Sequence, residues 1–414
     1  MPDFIFRLPK EIDLNKLQKI AIDYETSIVI SGGPGSGKTV VTISRFLLSV
    51  INNQDAMLFT YNKTLLASIK CLLRAKSEVI FGELNEVAIN NVIANKVASF
   101  SKYYGGIVYN EEVAVNRTFN NKINSRNGRK YSEIFFDEAQ DLTPAVFSKA
   151  FVLADRVTCG ADNAQNLQGN FPPDEAVDLI LNNLNVEHPT ILHQLEANFR
   201  NTKEIFEFAR GFVPDDESVQ MIDTTELDNG ENPEILDNLS QYAQLSKIKE
   251  IIEANPTSNI GILVNFSNQI NDIKIYLDSQ GYSSQRNAPE NRSYSYYFNG
   301  MPEADELVMF DRMKTPFIVT YDSCKGLEFD IVILPFFNDA SNALSRPRRR
   351  RVNDNTWIEE TNVDGTTKMW ATPNHYYVGA TRARTQLFVL CSDRPSILDF
   401  HYDNLRNQND DSPF

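Results

Sequence analysis

Ser27-Ile28-Val29-Ile30-Ser31 runs directly into Gly32-Gly33-Pro34-Gly35-Ser36-Gly37-Lys38-Thr39, and this stretch decides the fold class. The first five residues are a short, β-branched apolar run, which reads as a buried strand. The next eight fit GxxxxGK[ST]. Val41, Ile43, Phe46, Leu47 and Val50 then recur at helical spacing. Strand, glycine-rich turn and helix is the context in which backbone N–H groups can wrap a phosphate and the helix N-terminus can add its dipole. Lys38 would neutralise the β- and γ-phosphates and Thr39 would offer a hydroxyl to Mg²⁺. Gly32 to Thr39 are therefore the candidate phosphate-binding set.

A second stretch completes the chemistry. Tyr131-Ser-Glu-Ile-Phe-Phe-Asp-Glu-Ala-Gln-Asp141 is an apolar strand ending in adjacent acids, Asp137 and Glu138. At the carboxyl end of a parallel strand one acid can hold Mg²⁺ while its neighbour orients an attacking water. Combined with the loop at Lys38, this implies nucleoside triphosphate hydrolysis.

Composition sets the limits around these motifs. At roughly 150 residues per domain, 414 residues imply two to three domains. Hydrophobic residues at 42% and charged residues at 23% describe a folding chain and exclude a disordered or fibrous one. A net charge of -15 excludes a generic basic coat for nucleic acid, so any such contact is a local groove. Nine of the excess acids lie between 211 and 246, a stretch without Lys or Arg that reads as a solvated face. Cys71, Cys159, Cys324 and Cys391 have no paired spacing and read as packing residues. No apolar run reaches the ~18 residues of a membrane span, and the acidic start MPDFIFRLPKEID is unlike a signal peptide, so a cytoplasmic location and no membrane partner are expected.

Beyond these two elements the chain resembles the superfamily 1 helicases of the UvrD/Rep type, in motif order from Gln18 to Arg382. Leu14 to Ala21 is similar to the Q motif, which implies that Gln18 reads the adenine edge. Leu58-Phe-Thr-Tyr-Asn-Lys63 resembles motif Ia, implying strand contacts from Thr60, Tyr61 and Asn62. Asp137-Glu-Ala-Gln-Asp141 resembles motif II, which assigns Asp137 to magnesium and Glu138 to the catalytic water. Ala161-Asp-Asn-Ala-Gln165 resembles motif III, with Gln165 sensing the γ-phosphate. Leu195 to Thr202 resembles motif IV, where Phe199 would stack on adenine and Arg200 act as an arginine finger. Thr320-Tyr-Asp-Ser-Cys-Lys-Gly-Leu-Glu-Phe-Asp330 resembles motif V, with Glu328 on the ribose and Thr320 and Lys325 toward DNA. Tyr376 to Arg384 is similar to motif VI and makes Arg382 the second finger.

The departures are specific. Val40 stands where an Arg often follows the P-loop Thr, which leaves the base to Phe199 and Gln18. Motif III continues into Asn166-Leu-Gln-Gly-Asn-Phe-Pro-Pro173 without the usual Trp-Arg-Gly, leaving Phe171 or Tyr61 to substitute as the stacking ring. Motif V has Asp322 where His is common. Asn259 to Val264 reads as a core strand and Ile270 to Leu277 as a helix, leaving little chain for a large 2B domain. Within the expected insertion, Val87, Ile89, Val92, Ile93, Val97 and Phe100 read as the core stripe of a compact helical piece. Between motifs V and VI lies Arg346-Pro-Arg-Arg-Arg-Arg351, followed by Trp357. Arg348, Arg349, Arg350 and Arg351 are candidate phosphate contacts, against a solvated loop, a protein contact or mimicry of a nuclear-import signal.

The resemblance implies an α/β fold of two RecA-like P-loop domains with parallel sheets, ATP and Mg²⁺ in the interdomain cleft, and a small helical insertion in the first domain. Its boundaries are 1–70 and 131–194 for domain 1A, 71–130 for the 1B-like insertion, 195–403 for domain 2A with reduced or absent 2B, and 404–414 for a disordered tail. The activity implied is DNA-stimulated ATP hydrolysis with 3′ to 5′ movement on single-stranded or tailed DNA, in repair, recombination or antiviral defence. The alternative is an ATP- and DNA-gated subunit that controls a protein partner such as a nuclease or effector without processive unwinding.

Overall fold

The computed structural model describes residues 4, 7, 9, 11–61, 63–75, 78–79, 82–83, 85–100, 112–285, 287–302, 306, 313–353 and 356–401. The expected tail at 404–414 and the contact residue Asn62 lie outside them. The chain divides into two compact units, Phe6–Phe199 with Asn362–Thr366, and Met1–Ile5 with Arg200–Thr361 and Thr367–Phe414.

In the first unit the strands are β1 (Ser27–Gly32), β2 (Ala56–Thr60), a short ribbon of β3 (Glu78–Val79) and β4 (Gly82–Glu83), β5 (Val97–Ser99), β6 (Tyr131–Asp137), β7 (Ala154–Ala161) and β8 (Thr190–Leu195). Six form one sheet in the order β5-β2-β6-β7-β1-β8, every neighbouring pair parallel. Every residue of β2 is buried, because helices cover both faces of such a sheet. The two faces part at adjacent residues. Phe135 meets Phe46 edge-on with ring centroids 5.7 Å apart, while Phe136 stacks on Phe59 at 5.8 Å on the other side. Helix α2 (Lys38–Ile51) follows β1 as the glycine-rich turn requires, and α1 (Lys16–Asp23) precedes it.

Register fixes where the chemistry emerges. Ile30 pairs with Gly160 and Phe136 with Cys159, so β1, β7 and β6 end together, with β7 between the two motif-bearing strands. Most of the expected stripe is core, Ile89, Val92 and Ile93 within the helix Glu86–Asn95. Val87 differs. It is exposed in the helix's first turn, outside the apolar face formed by Ile89, Val92 and Ile93. Val97 differs too, since it belongs to β5 and pairs with Leu58, so the edge of the sheet lies inside the stretch read as a helical insertion.

The second unit repeats the plan. Its strands are β9 (Glu234–Leu236), β10 (Ile260–Val264), β11 (Ser295–Tyr297), β12 (Phe317–Thr320), β13 (Phe329–Leu334), β14 (Arg349–Asn353), β15 (Thr356–Glu359) and β16 (Ala383–Leu390). The sheet order is β11-β12-β10-β13-β16-β9, again all parallel, while β14 and β15 make a separate antiparallel ribbon. The fold is thus α/β with two RecA-like parallel sheets. The strand and helix read at 259–264 and 270–277 are β10 and the middle of the helix Ser267–Ser279. Seven of the nine acids between 211 and 246 are exposed, as a solvated face requires. All four cysteines are buried. No helix among the described residues is long and apolar enough to cross a membrane.

Candidate functional site

The glycine-rich turn folds back on its own lysine. Gly35 and Gly37 sit at φ 76° and 91°, in the left-handed region that glycine enters without a Cβ penalty. The Lys38 ammonium donates to the carbonyls of Gly32 and Gly33 and, at 3.0 Å, to Asp162 Oδ2. Both side chains of this ion pair are nearly buried, at 9% and 6% exposure. Asp162 stands just past the end of β7 and serves three donors. Its Oδ1 accepts from the Ala164 N–H, and its Oδ2 accepts both Lys38 and, at 2.6 Å, the Gln165 side-chain amide. The candidate phosphate lysine and the candidate γ-phosphate sensor therefore share one carboxylate oxygen.

Beside them, the Thr39 hydroxyl donates to Asp137 Oδ1 at 3.2 Å. Asp137 Oδ2 is buried and has no hydrogen-bond partner among the described residues, and neither have the hydroxyls of Ser36 and Thr42. Burial, reinforced by the neighbouring Glu138 carboxylate, raises the Asp137 carboxyl to about 7, against the smaller opposing pull of Thr39 and Lys38. Gly160 keeps this corner open, since a Cβ there would lie 3.1 Å from Thr42 Oγ1 and 3.2 Å from Asp137 Oδ1. An orphaned carboxylate oxygen, an adjacent threonine hydroxyl and a glycine cradle are hard oxygen donors beside a phosphate-sized turn. They fit a magnesium–nucleotide.

Glu138 adopts left-handed φ and ψ of 56° and 51°, which costs a non-glycine residue about 1–2 kcal/mol. Its Oε2 accepts from the Gln140 amide at 2.5 Å, and Gln140 Oε1 in turn accepts from the Asp162 N–H. Gln140 is completely buried, so Glu138 is oriented by a fixed support rather than by solvent.

Gln18 is brought against the turn. Its Oε1 closes a capping box with Asn15 at the start of α1, and its Nε2 donates to the Ser36 carbonyl. Helix α1 is held from behind by a residue the motifs do not mention. Arg45, buried in α2, donates to the carbonyls of Ala21, Ile22, Tyr24 and Thr26 and to Thr158 Oγ1, and pairs with Glu133 Oε1 at 3.0 Å. Glu133 also takes Arg156 at 3.1 Å. The N–H of Phe199 donates to the Gly35 carbonyl, and its ring remains 52% exposed beside the turn.

In the second unit Arg200 and Arg384 both reach Glu328, at 3.5 and 3.4 Å. Arg382, the expected second finger, is 1% exposed, its guanidinium donating to the carbonyls of Val378 and Leu327. Asp322 explains its own departure from the motif. One carboxylate oxygen takes the Arg348 guanidinium, and the other faces His375 Nε2 at 3.3 Å. Burial would raise Asp322, but the His375 hydrogen bond and the Arg348 charge hold it well below the usual carboxylate range. Burial depresses His375 despite Asp322.

The expected strand contacts separate. Tyr61 is exposed. Thr60, Phe171 and Lys325 are at 1%, 2% and 0% exposure. Phe171 is in the core beside Phe147 because the chain after motif III turns inward, so its ring does not replace the missing Trp as a surface platform. Thr320 bonds Ser323 locally. Among the arginines, Arg348 faces inward onto Asp322, whereas Arg349 and Arg350 are exposed and Arg351 is placed by the register of β14. Sequence reasoning missed Asp162, Gln140 and the Arg45–Glu133 pair. Arg45 in an otherwise apolar helix and Glu133 in an otherwise apolar strand were the available signal, because a buried charge requires a partner.

The family model described as Schlafen group 3, DNA/RNA helicase domain, matches residues 25–393. No curated protein sequence matches the chain. Among solved structures it is similar to the PRRSV helicase (14% identity, TM-score 0.37, 91% of this chain and 55% of that one covered). It is also similar to Arterivirus nonstructural protein 10, a helicase solved with DNA (14%, 0.37, 93% and 64%). A third is the Pyrococcus furiosus Hef helicase domain (12%, 0.38, 95% and 98%). The chain thus spans little more than half to two thirds of the two viral proteins, and at these levels no residue role transfers from them.

Proposed function

This chain belongs to the Schlafen group 3 DNA/RNA helicase domain family, and from that premise we propose that it is an ATP-hydrolysing motor of the superfamily 1, UvrD/Rep-like type that moves 3′ to 5′ on single-stranded or tailed DNA. The observation that carries the reading is the shared oxygen of Asp162, which holds both Lys38 and Gln165 beside the orphaned Asp137. A phosphate arriving in the turn must draw Lys38 from Asp162, and that alters the anion to which Gln165 is bonded. Binding and sensing are thereby linked through one carboxylate.

Thr39 and Asp137 would hold magnesium, which when bound supplies charge neutralisation at the β- and γ-phosphates. The chain's own groups do the rest. Backbone N–H groups of the turn and Lys38 bind the phosphates. Glu138, fixed by Gln140, is placed to accept a proton from an attacking water. Phe199 offers an exposed ring for the base, with Gln18 beside the turn, which supports a purine nucleotide even though Val40 replaces the usual Arg. Arg200 belongs to the same reading as a finger, stored on Glu328. Repair, recombination or antiviral defence are the settings this activity would serve, in the cytoplasm.

Strand displacement tests it. A 3′-tailed duplex is expected to be unwound in the presence of ATP and a 5′-tailed one left intact. Hydrolysis without displacement of either would favour the gated-subunit reading, in which a protein partner such as a nuclease responds to the nucleotide.

A further inference from the structure

We propose that the β14–β15 ribbon is a single-stranded DNA contact in which the ring of Trp357 stacks on a base and Arg349, on the same face of the ribbon, takes a neighbouring phosphate. This goes beyond the proposed motor activity and rests on it only in that the chain must bind a strand. A free two-stranded ribbon is marginal in water. This one presents all four residues of β15 to solvent, with Trp357 at 60% exposure and, on the other strand, Val352 at 56%. Packing therefore does not account for the tryptophan.

The ribbon stands on a built mount. Arg346 to Arg348 pair on one side with Glu360 and on the other with Lys368 to Trp370 through backbone bonds, and Pro347 bridges Met369. Arg346 lies over the rings of Phe266 and Trp370, Arg348 over Trp370, and Arg348 closes onto Asp322. His375 joins Asp322 from the first turn of the helix Pro373–Ala380. The lower two arginines are thus engaged inside the unit, and the mount reaches both the turn at Tyr321–Ser323 and the motif VI helix.

Above the mount the charge is turned outward. Arg349 bridges Glu359 at an exposed position, and Arg350 is exposed with no ion pair among the described residues. The register sets Arg350 opposite Ile358 and Arg351 opposite Trp357. Side chains alternate along each strand, so the exposed Arg349 shares the face of the exposed Trp357 while the exposed Arg350 lies on the other, and on a chain of net charge -15 they form a local cationic and aromatic surface. Phosphate and a stacked base complement both features, and neither needs a particular sequence. An apolar protein surface would use Val352 and Ile358 but leave Arg350 without an acceptor.

Trp357 and Trp370 are the chain's two tryptophans, which makes the test direct. In a Trp370→Phe background, oligo-dT should quench the Trp357 emission to saturation. In the otherwise native chain, Trp357→Ala should weaken oligo-dT binding about 5- to 150-fold, the range of one lost stack. Arg349→Ala should lower the slope of log affinity against log salt by about 0.7, one phosphate contact on a single strand. Hydrolysis without DNA should be unchanged in both. Wild-type binding with unaltered affinity and slope in both variants would overturn the proposal, leave the motor reading standing, and assign the ribbon to a protein partner. A wild type that binds no strand would overturn both. Quenching by an oligo-uridine but not by oligo-dT would overturn the choice of DNA.

Discussion

Asp162→Asn is the substitution whose outcome follows most closely from the geometry. In the wild type the Lys38 ammonium is satisfied by two carbonyls and Asp162 Oδ2, so a phosphate competes with a nearly buried carboxylate. A hydrogen bond to a charged group is worth about 1.5–3 kcal/mol net. In the Asn variant the carbonyl oxygen can still cap Ala164, but the amide NH₂ then faces Lys38 and cannot accept from it. The competing anion is removed, and at the lower end of that range nucleotide affinity rises about tenfold. The same change uncouples Gln165, so turnover falls while binding tightens. A fluorescent ATP analogue reads the affinity and steady-state hydrolysis reads the turnover. The nucleotide-free variant should also melt lower and recover when a non-hydrolysable analogue is added. Nucleotide binding that is unchanged or weaker in Asp162→Asn would refute the competition.

Other consequences can be checked independently. Arg45→Met leaves Glu133 buried with only Arg156 and Thr158, which should cost about 3 kcal/mol, roughly 6–12 °C in the melting of a unit this size; a shift under 2 °C would contradict the burial argument. Gly160→Ala pushes a methyl toward Asp137 and Thr42, so hydrolysis should fall about tenfold or more with little change in melting temperature. Unaltered turnover would show that the corner tolerates displacement. His375 has a folded pKa below its ordinary 6.5, so the unfolded chain binds more protons and stability declines as pH falls below about 6.5; Asp322, also depressed, adds a loss below about 3.9. Thermal melts from pH 7 to 5.5 should fall, with a shallower slope for His375→Gln, and an identical slope would remove His375 from the account.

The nucleotide half of this protein was readable because its signals are local. A strand, a glycine turn and a helix are adjacent in sequence, and so are Asp137 and Glu138. The contacts that organise them join distant positions. Lys38 meets Asp162 and Arg45 meets Glu133 only after the strand order β6-β7-β1 is set, and no spacing rule supplies that order. The arginine run shows a different limit. Read along the chain it is one basic patch; in the fold Arg348 turns onto Asp322 while Arg350 turns to solvent, because the mount ends and the ribbon begins between them. Phe171 failed as a stacking candidate for a related reason, since an aromatic in a polar loop carries no mark of which way the loop folds.

The proposed motor activity requires that Lys38, Thr39, Asp137 and Glu138 hydrolyse ATP in response to a strand. ATP hydrolysis by the purified chain, with and without single-stranded DNA, for wild type and Lys38→Ala, tests it most directly. Hydrolysis that DNA stimulates and Lys38→Ala abolishes is the expected result. Turnover that survives in Lys38→Ala, or that DNA leaves unchanged in the wild type, would contradict it.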